Sequence, residues 1–312
     1  MKRLVKDIGL RFLGSGCALF ADRILGEPPS AVHPVALFGR LMEKCEFFTW
    51  RDTRTAGVGY NSVGIATAAV SALLLDSPLL GTFVATYLAV AERALLQNAS
   101  MIEGNLQSGD LAAAKELLPC LVGRDVSSLD LSGCARAVVE SVAENCSDAV
   151  VAPMVYGALF GALGSLVYRA INTMDAMVGY QSELYKNFGW ASARVDDLVN
   201  FVPARLLAWV TAISPEGSKV DFKAALRDGK KHPSPNAGVV ESFYAHKLEV
   251  TLGGTNSYLG ALEVRAVMGK GRAVVPKDIT RVSDLTKRND TLIGLSFIGV
   301  GLLLYIYGRM AG

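Results

Sequence analysis

The sequence is poor in charge and short of most familiar catalytic signatures. Asp, Glu, Lys and Arg make up 19% of its 312 residues against 51% hydrophobic ones, and the formal net charge is +2. That balance gives no support to a nucleic-acid partner, which calls for a basic stripe. Five cysteines (Cys17, Cys45, Cys120, Cys134, Cys146) are odd in number and lack a C-x-x-C spacing. They argue against a disulfide framework or a zinc ribbon and suit a reducing compartment. The three histidines, His33, His232 and His246, are too scattered to suggest a metal cluster. No G-x-x-x-x-G-K-[ST], G-x-S-x-G or H-E-x-x-H occurs, which excludes a Walker-type loop, a hydrolase elbow and a zincin helix. Internal repeats and low-complexity tracts are absent too, which counts against a transporter built from two halves.

What is present is apolar sequence interrupted by polar segments. Candidate membrane helices fall at about Ile8 to Leu25, Val58 to Leu75, Ala149 to Tyr168 and Thr291 to Tyr307, each near the length a bilayer needs if helical. Leu79 to Leu96, apolar until Glu92 and Arg93, is either a further span or an amphipathic helix. Pro28, Pro29 and Pro34 break the chain after the first, leaving His33 in a turn. Asp76-Ser77-Pro78 offers capping chemistry to the helix that follows. The expected fold is therefore all-α: a polytopic membrane bundle of about four to six membrane helices. It forms a single integral membrane domain over 1–312, with 97–148 and 215–290 as the main polar segments outside the hydrocarbon core. Thirteen Lys and Arg lie between Pro215 and Asp290. They and the basic N-terminus favour the cytoplasmic side.

The stretch from Glu140 to Arg205 sets many ionisable groups beside an uncharged run, Ala149 to Tyr168. Such groups are costly unless they pair or hold a polar ligand. Glu140, Glu144 and Asp148, at i, i+4 and i+8, share one helical face, with Asn145 adjacent. They form either a solvated acidic face or a ligand site. Asp196 and Asn200 also share a face, flanked by Asp197. An acidic pair with an amide suits Mg²⁺, which keeps waters and phosphate ligands, but first-turn acids of the next helix read the same way. Arg169, Asn172 and Asp175 line a broad face; Arg169 either snorkels or clamps a phosphate or carboxylate. Arg205 is a further cation. His232 to Gly238 is a rigid turn in which Ser234 and Asn236 present hydrogen-bonding groups. Leu252-Gly253-Gly254-Thr255-Asn256 is a Gly-rich turn able to offer backbone N–H groups to an anion. These residues reach a membrane protein with a Mg²⁺-dependent, phosphate-handling site.

The same residues fall in ordered motifs. They are D-x-x-x-G-E-P and H-P-V over Asp22–Val35, V-G-R-D over Val122–Asp125 and E-S-V-A-E-N-x-x-D over Glu140–Asp148. Next come Y-R-A-x-N-T-x-D-A-M-V-G-Y over Tyr168–Tyr180 and A-R-x-D-D-x-x-N-x-x-P-A-R-L over Ala193–Leu206. The set ends with H-P-S-P-N-A-G over His232–Gly238 and L-G-G-x-N-x-Y over Leu252–Tyr258. Together they resemble the adenosylcobinamide-phosphate synthases of cobalamin biosynthesis, the CobD/CbiB family, over nearly the whole chain. Glu27 stands where that family more often has Asp, and Val239–Tyr244 departs from a small, Met-rich continuation.

The resemblance implies a carbon–nitrogen ligase, multi-pass in the cell membrane, with its active site facing the cytoplasm. It would join the corrinoid adenosylcobyric acid to (R)-1-amino-2-propanol or its O-phosphate, with ATP as co-substrate and Mg²⁺. Its partners would be these substrates, the lipid bilayer and other membrane enzymes of cobalamin assembly. In the roles it implies, Asp148, Asp196 and Asp197 are metal ligands, with Glu144 as a further one. Asn145, Arg169, Asn172, Asp175, Asn200, Arg205, Ser234 and Asn236 bind substrate, and Glu140, Glu144, His33 and His232 are catalytic. Rival expectations are a membrane transporter, a Mg²⁺-dependent membrane transferase acting on a phosphorylated substrate, and a non-catalytic sensor. One geometric demand follows. A straight helix over Ala149–Tyr168 would set Asp148 and Arg169 about 30 Å apart. A single site needs that run broken around Gly157, Gly161 and Gly164.

Overall fold

A computed structural model describes residues 2–123, 125–180, 182–258 and 261–310, and for 255–265 the backbone alone. Arg124 of the V-G-R-D motif and the side chains of Asn256 and Tyr258 lie outside the described residues. The chain is mostly helical. In order, α1 is Lys2–Leu25, α2 Pro34–Thr49, α3 Arg54–Ala72, α4 Leu80–Ala89, α5 Glu92–Gln107, α6 Leu111–Leu117 and α7 Leu131–Cys146. A π-helical turn over Ser147–Val151 leads into α8 Ala152–Phe160 and α9 Ala162–Val178. Then come α10 Trp190–Val199, α11 Phe201–Ile213, α12 Phe222–Gly229, α13 Ala237–Leu248 and, last, α14 Lys277–Met310. Between α13 and α14 the all-α expectation needs a correction. Strands β1 Leu252–Tyr258 and β2 Ala261–Met268 pair antiparallel, with Leu252 opposite Met268 and an irregularity between Leu252 and Gly254. The Gly-rich turn read there is thus the start of a strand.

Helix starts follow local chemistry. Thr53, Asp110, Asp130 and Asp221 each accept a backbone N–H of the first turn that follows them, satisfying donors that a helix start leaves open. Ser77 Oγ accepts from Leu80 N at 3.2 Å, as the Asp-Ser-Pro signal predicts. His33 Nδ1 accepts from Val35 N at 3.2 Å, and Pro34 opens α2.

The chain divides into two compact units. The first holds 1–92, 148–200 and 293–312, and the second holds 93–147 and 201–292. In the first unit α9 is the central element, with α2, α3, α4, α8 and α10 all packing against it, while α1 packs on α4 and α8. Glycines on α1 and α14 allow close backbone approach: a Cβ on Gly9 would lie 2.6 Å from Tyr305 N, and one on Gly301 2.7 Å from Leu13 N. In the second unit α13 is central, buried along nearly its whole length and packed by α7, α11 and α12. The two polar segments read from the sequence make up most of this second unit.

Of the four to six membrane helices expected, one among the described residues, α14, is long and apolar enough to cross a bilayer. Two of the expected runs are broken. The Leu79 to Leu96 run breaks at Val90 and Ala91. The Ala149 to Tyr168 run breaks at Gly161, leaving α8 at nine residues, about 14 Å of rise. Gly161 sits at φ 70°, ψ −150°, a region open in practice to glycine alone. A Cβ on Gly164 would lie 2.1 Å from the Tyr156 carbonyl oxygen, so α9 packs directly on α8 after the break. Gly161→Ala is expected to destabilise the protein by about 1–3 kcal/mol, measured as a lowered thermal midpoint. Gly59→Ala, inside α3 with open space around its Cβ, should leave that midpoint unchanged or raise it.

Candidate functional site

In the first unit the broken run brings the predicted polar residues together. The Tyr168 hydroxyl donates toward the Asp148 carbonyl oxygen at 2.9 Å and lies 2.7 Å from Asn200 Oδ1. The ends of the apolar run, 20 residues apart in sequence, therefore meet. Asn200 Nδ2 donates to Asp196 Oδ2 at 2.9 Å, and Asn172 Nδ2 reaches Asp196 Oδ1 at 3.4 Å. Arg169 Nη1 donates to Asn172 Oδ1 at 3.3 Å. Asp196 and Asn200 are buried. Asp148, Arg169, Asn172, Asp196 and Asn200 are thus one constellation, and Tyr168, absent from the sequence-derived set, is its hub. The signal for it was there: Tyr168 precedes Asn172 by four residues and shares its helical face.

Asp197 stands apart. Its carboxylate is one-third exposed and lies 3.8 Å from the Arg194 guanidinium. Burial pushes its carboxyl up against the opposing pull of Arg194. Asp175 sits a turn beyond Asn172, its Oδ1 close against Gly179 at the end of α9. His33 is buried, and its Nε2 has no hydrogen-bond partner. Burial holds its imidazole below the usual histidine range; Glu27 raises it and Arg169 lowers it further. Arg169 Nε is likewise buried and without a partner. Beside it opens a cavity of about 280 Å³, lined among others by Pro34, Val35, Phe38, Leu166 and Arg169.

In the second unit the predicted residues do structural work. Glu140 is buried, and its Oε1 accepts from Gly253 N at 2.8 Å, anchoring β1 to α7. The Gly-rich turn therefore spends that N–H on the protein. Asn145 turns back on its own helix, with Nδ2 on the Ser141 carbonyl at 2.9 Å. Glu144 is half-buried on the same helix. Because α7 gives way to the π turn at Ser147, Asp148 lies beyond the α-helical register that put three carboxylates on one face.

Arg205, Ser234 and Asn236 do meet. Arg205 donates to Asn236 Oδ1 at 2.5 Å and to the Pro235 carbonyl at 3.0 Å, and its guanidinium stacks 3.8 Å from the Phe201 ring centre. Ser234 Oγ accepts from Asn236 N and Ala237 N at the start of α13. His232 is buried, with Nδ1 3.1 Å from Ser234 N and 3.2 Å from the Ser234 carbonyl oxygen, and with Nε2 3.9 Å from Glu241 Oε1. Glu241 was missed because it stands alone in an apolar helix, in the stretch where the sequence departs from the family pattern.

The donor set bears on Mg²⁺. Among the described residues no three His, Cys, Asp or Glu side chains converge as a ready-made cage. Mg²⁺ commonly takes one or two carboxylates and completes its shell with water and phosphate. Asp196 and Asp148 both act electrostatically on the Tyr168 phenol, with the Asn200 amide beside it, so these residues fit that kind of site better than Asp197 does. Tyr168→Phe should leave Asn200 and the Asp148 carbonyl a donor short and cost about 1–3 kcal/mol, read by chemical denaturation. Glu140→Gln, which keeps an acceptor for Gly253, should cost less than Glu140→Ala in the same experiment.

The comparisons with known proteins agree on one family. A family model described as CobD/Cbib protein matches residues 15–286. The chain is 42% identical to the cobalamin biosynthesis protein CobD of Mycobacterium tuberculosis over 285 residues, covering 87% of this chain and 89% of that one. It is 37% identical to the protein of the same name in Stutzerimonas stutzeri over 308 residues, 95% and 97% of the two chains. For the Clostridium perfringens protein the figures are 34% over 303 residues, 91% and 94%. No solved structure matches the chain. The chain belongs to the CobD/CbiB family of cobalamin biosynthesis.

Proposed function

We propose that the chain is a membrane-bound, ATP-dependent amide ligase. It joins a carboxylate of adenosylcobyric acid to the amine of (R)-1-amino-2-propanol or its O-phosphate, giving adenosylcobinamide or its phosphate. Family membership supports the pathway. The observation that carries the chemistry is the constellation of Asp148, Asn172, Asp196 and Asn200 around the buried Tyr168. An unactivated carboxylate does not condense with an amine in water, so it is first phosphorylated by ATP. Asp196 and Asp148 would hold Mg²⁺, which would supply charge neutralisation on the phosphates. Asn172 and Asn200 fix the Asp196 carboxylate, so its oxygens are oriented before substrate arrives. Arg169 offers a fixed positive charge for a phosphate or the corrinoid carboxylate. In the second unit Arg205 holds the His232–Gly238 loop in one shape, with Ser234 and Asn236 as part of its frame.

Glu140 and His232 already have neighbours within the protein, which counts against either as the group that takes the ammonium proton. The membrane assignment draws support from α14 and from apolar residues left open on the first unit, among them Ile24, Val70, Leu74, Phe160, Leu163 and Leu303. So much exposed apolar surface calls for a lipid or protein cover. The Lys and Arg of 215–290 favour a cytoplasmic active site.

The test uses purified full-length protein in detergent with adenosylcobyric acid, ATP, Mg²⁺ and the amine in each form, read by mass spectrometry for the amide. Wild type should form product. Asp196→Ala should lose at least a hundredfold in rate, and Asp197→Ala should lose less. Absence of product with either amine would refute the ligase reading, and ion-driven uptake into liposomes without ATP would put the transporter in its place.

A further inference from the structure

Two His-Pro turns in this chain share one hydrogen bond. In His33-Pro34-Val35, the Val35 N–H donates to His33 Nδ1 at 3.2 Å. In His232-Pro233-Ser234, the Ser234 N–H lies 3.1 Å from His232 Nδ1. Proline has no N–H, so the first amide after it closes onto the ring. For His33 the consequence is definite. A ring nitrogen that accepts carries no proton, so the neutral imidazole bears its hydrogen on Nε2.

The two rings then differ in what Nε2 meets. His232 Nε2 faces the buried Glu241 carboxylate, 3.9 Å away. His33 is 8% exposed, and its Nε2 is buried without a hydrogen-bond partner. Arg169 Nε is in the same condition. The two groups act on each other electrostatically, and Pro34, Val35 and Arg169 line the same apolar cavity. Glu27, the other charge acting on His33, is exposed and makes no hydrogen bond with the ring. Two buried donors beside one apolar wall are unsatisfied until an acceptor joins them, and a low-dielectric wall strengthens their hold on an anion.

We infer that His33 Nε2–H and Arg169 Nε–H are the two donors of an oxyanion subsite for a phosphate or carboxylate group of the ligand, in which His33 is a fixed hydrogen-bond donor and not a base. In the second unit the Glu241 carboxylate lies 3.9 Å from His232 Nε2; His33 Nε2, without a hydrogen-bond partner, receives its acceptor from a ligand. Such a ring cannot take a proton at Nε2, and protonation at Nδ1 would cost the cap on α2. The inference rests on the proposed reaction only for which oxyanion is bound; the subsite itself does not need that reaction to be right.

The experiment is ¹⁵N NMR of full-length protein in detergent, labelled in its three histidine rings, with His33→Asn used to assign the His33 signals. At pH 7 the His33 ring should show a neutral, Nε2-protonated pattern. Inorganic phosphate and acetate are then added in separate arms, the better ligand telling phosphate from carboxylate. One of them should shift the His33 Nε2 signal saturably and leave His232 in place, and Arg169→Gln should weaken that response at least tenfold. An Nδ1-protonated or charged ring at pH 7, or no response to either anion, would overturn the inference. A normal anion response in protein that makes no amide would count against the ligase reading and leave the subsite standing.

Discussion

The reversal of the chain at Gly161 is the constraint on which the rest of the first unit depends. An apolar run of this length would ordinarily continue as one helix, keeping its two polar ends far apart. A glycine in a backbone region closed to other residues ends α8, and α9 returns along it with Gly164 against the Tyr156 carbonyl. The Tyr168 hydroxyl then joins the Asp148 carbonyl and the Asn200 amide oxygen. This arrangement gives the Tyr168 hydroxyl its partners and Asp196 two amide neighbours. It also fixes the carboxylate before any metal or phosphate is present, which is the economy that preorganised sites exploit.

The polar groups of the two units have different employment. In the second unit Glu140 holds a strand to a helix, Asn145 bonds its own helix, Ser234 caps α13, and Arg205 staples a proline-rich loop. These are costs of shaping irregular backbone, since each buried N–H or carbonyl must find a partner. Buried donors remain without acceptors at His33 and Arg169 in the first unit, beside one apolar cavity, and at the Ser147 and Ser214 hydroxyls in the second. A protein tolerates such a deficit where a ligand makes it good, so the deficit bears more closely on binding than the number of charges in a motif does.

Much of this could be read from the sequence, and the limits have physical causes. Ser77 and the His33 turn were legible because caps and proline breaks act over a few residues. The broken run was legible from a distance argument: no single site spans a bilayer's thickness. The pairings of Arg169 with Asn172 and of Asp196 with Asn200 were legible from helical spacing; that the two pairs belong to one site was implied by the family resemblance alone. The hairpin, the π turn and the partner of Glu140 were not legible. Glu140 meets an amide 113 residues away in sequence, and spacing along one helix carries no information about such a contact. The three-carboxylate face failed for a related reason, because a π turn shifts register just where Asp148 falls. Tyr168 was passed over because it closes the uncharged run and carries no charge of its own.

The account centres on the Asp196 constellation as the place where ATP activates a carboxylate. The direct measurement is the fate of oxygen from adenosylcobyric acid labelled with ¹⁸O in its free carboxylate, followed into inorganic phosphate during turnover. In the proposed reaction, attack of the carboxylate on the terminal phosphorus of ATP would release ADP, and attack by the amine would then expel phosphate carrying one carboxylate oxygen. One labelled oxygen per amide formed should therefore appear in phosphate, with the transfer falling in step with product in Asp196→Asn. Label in AMP, or amide formation with no label in phosphate, would contradict the account.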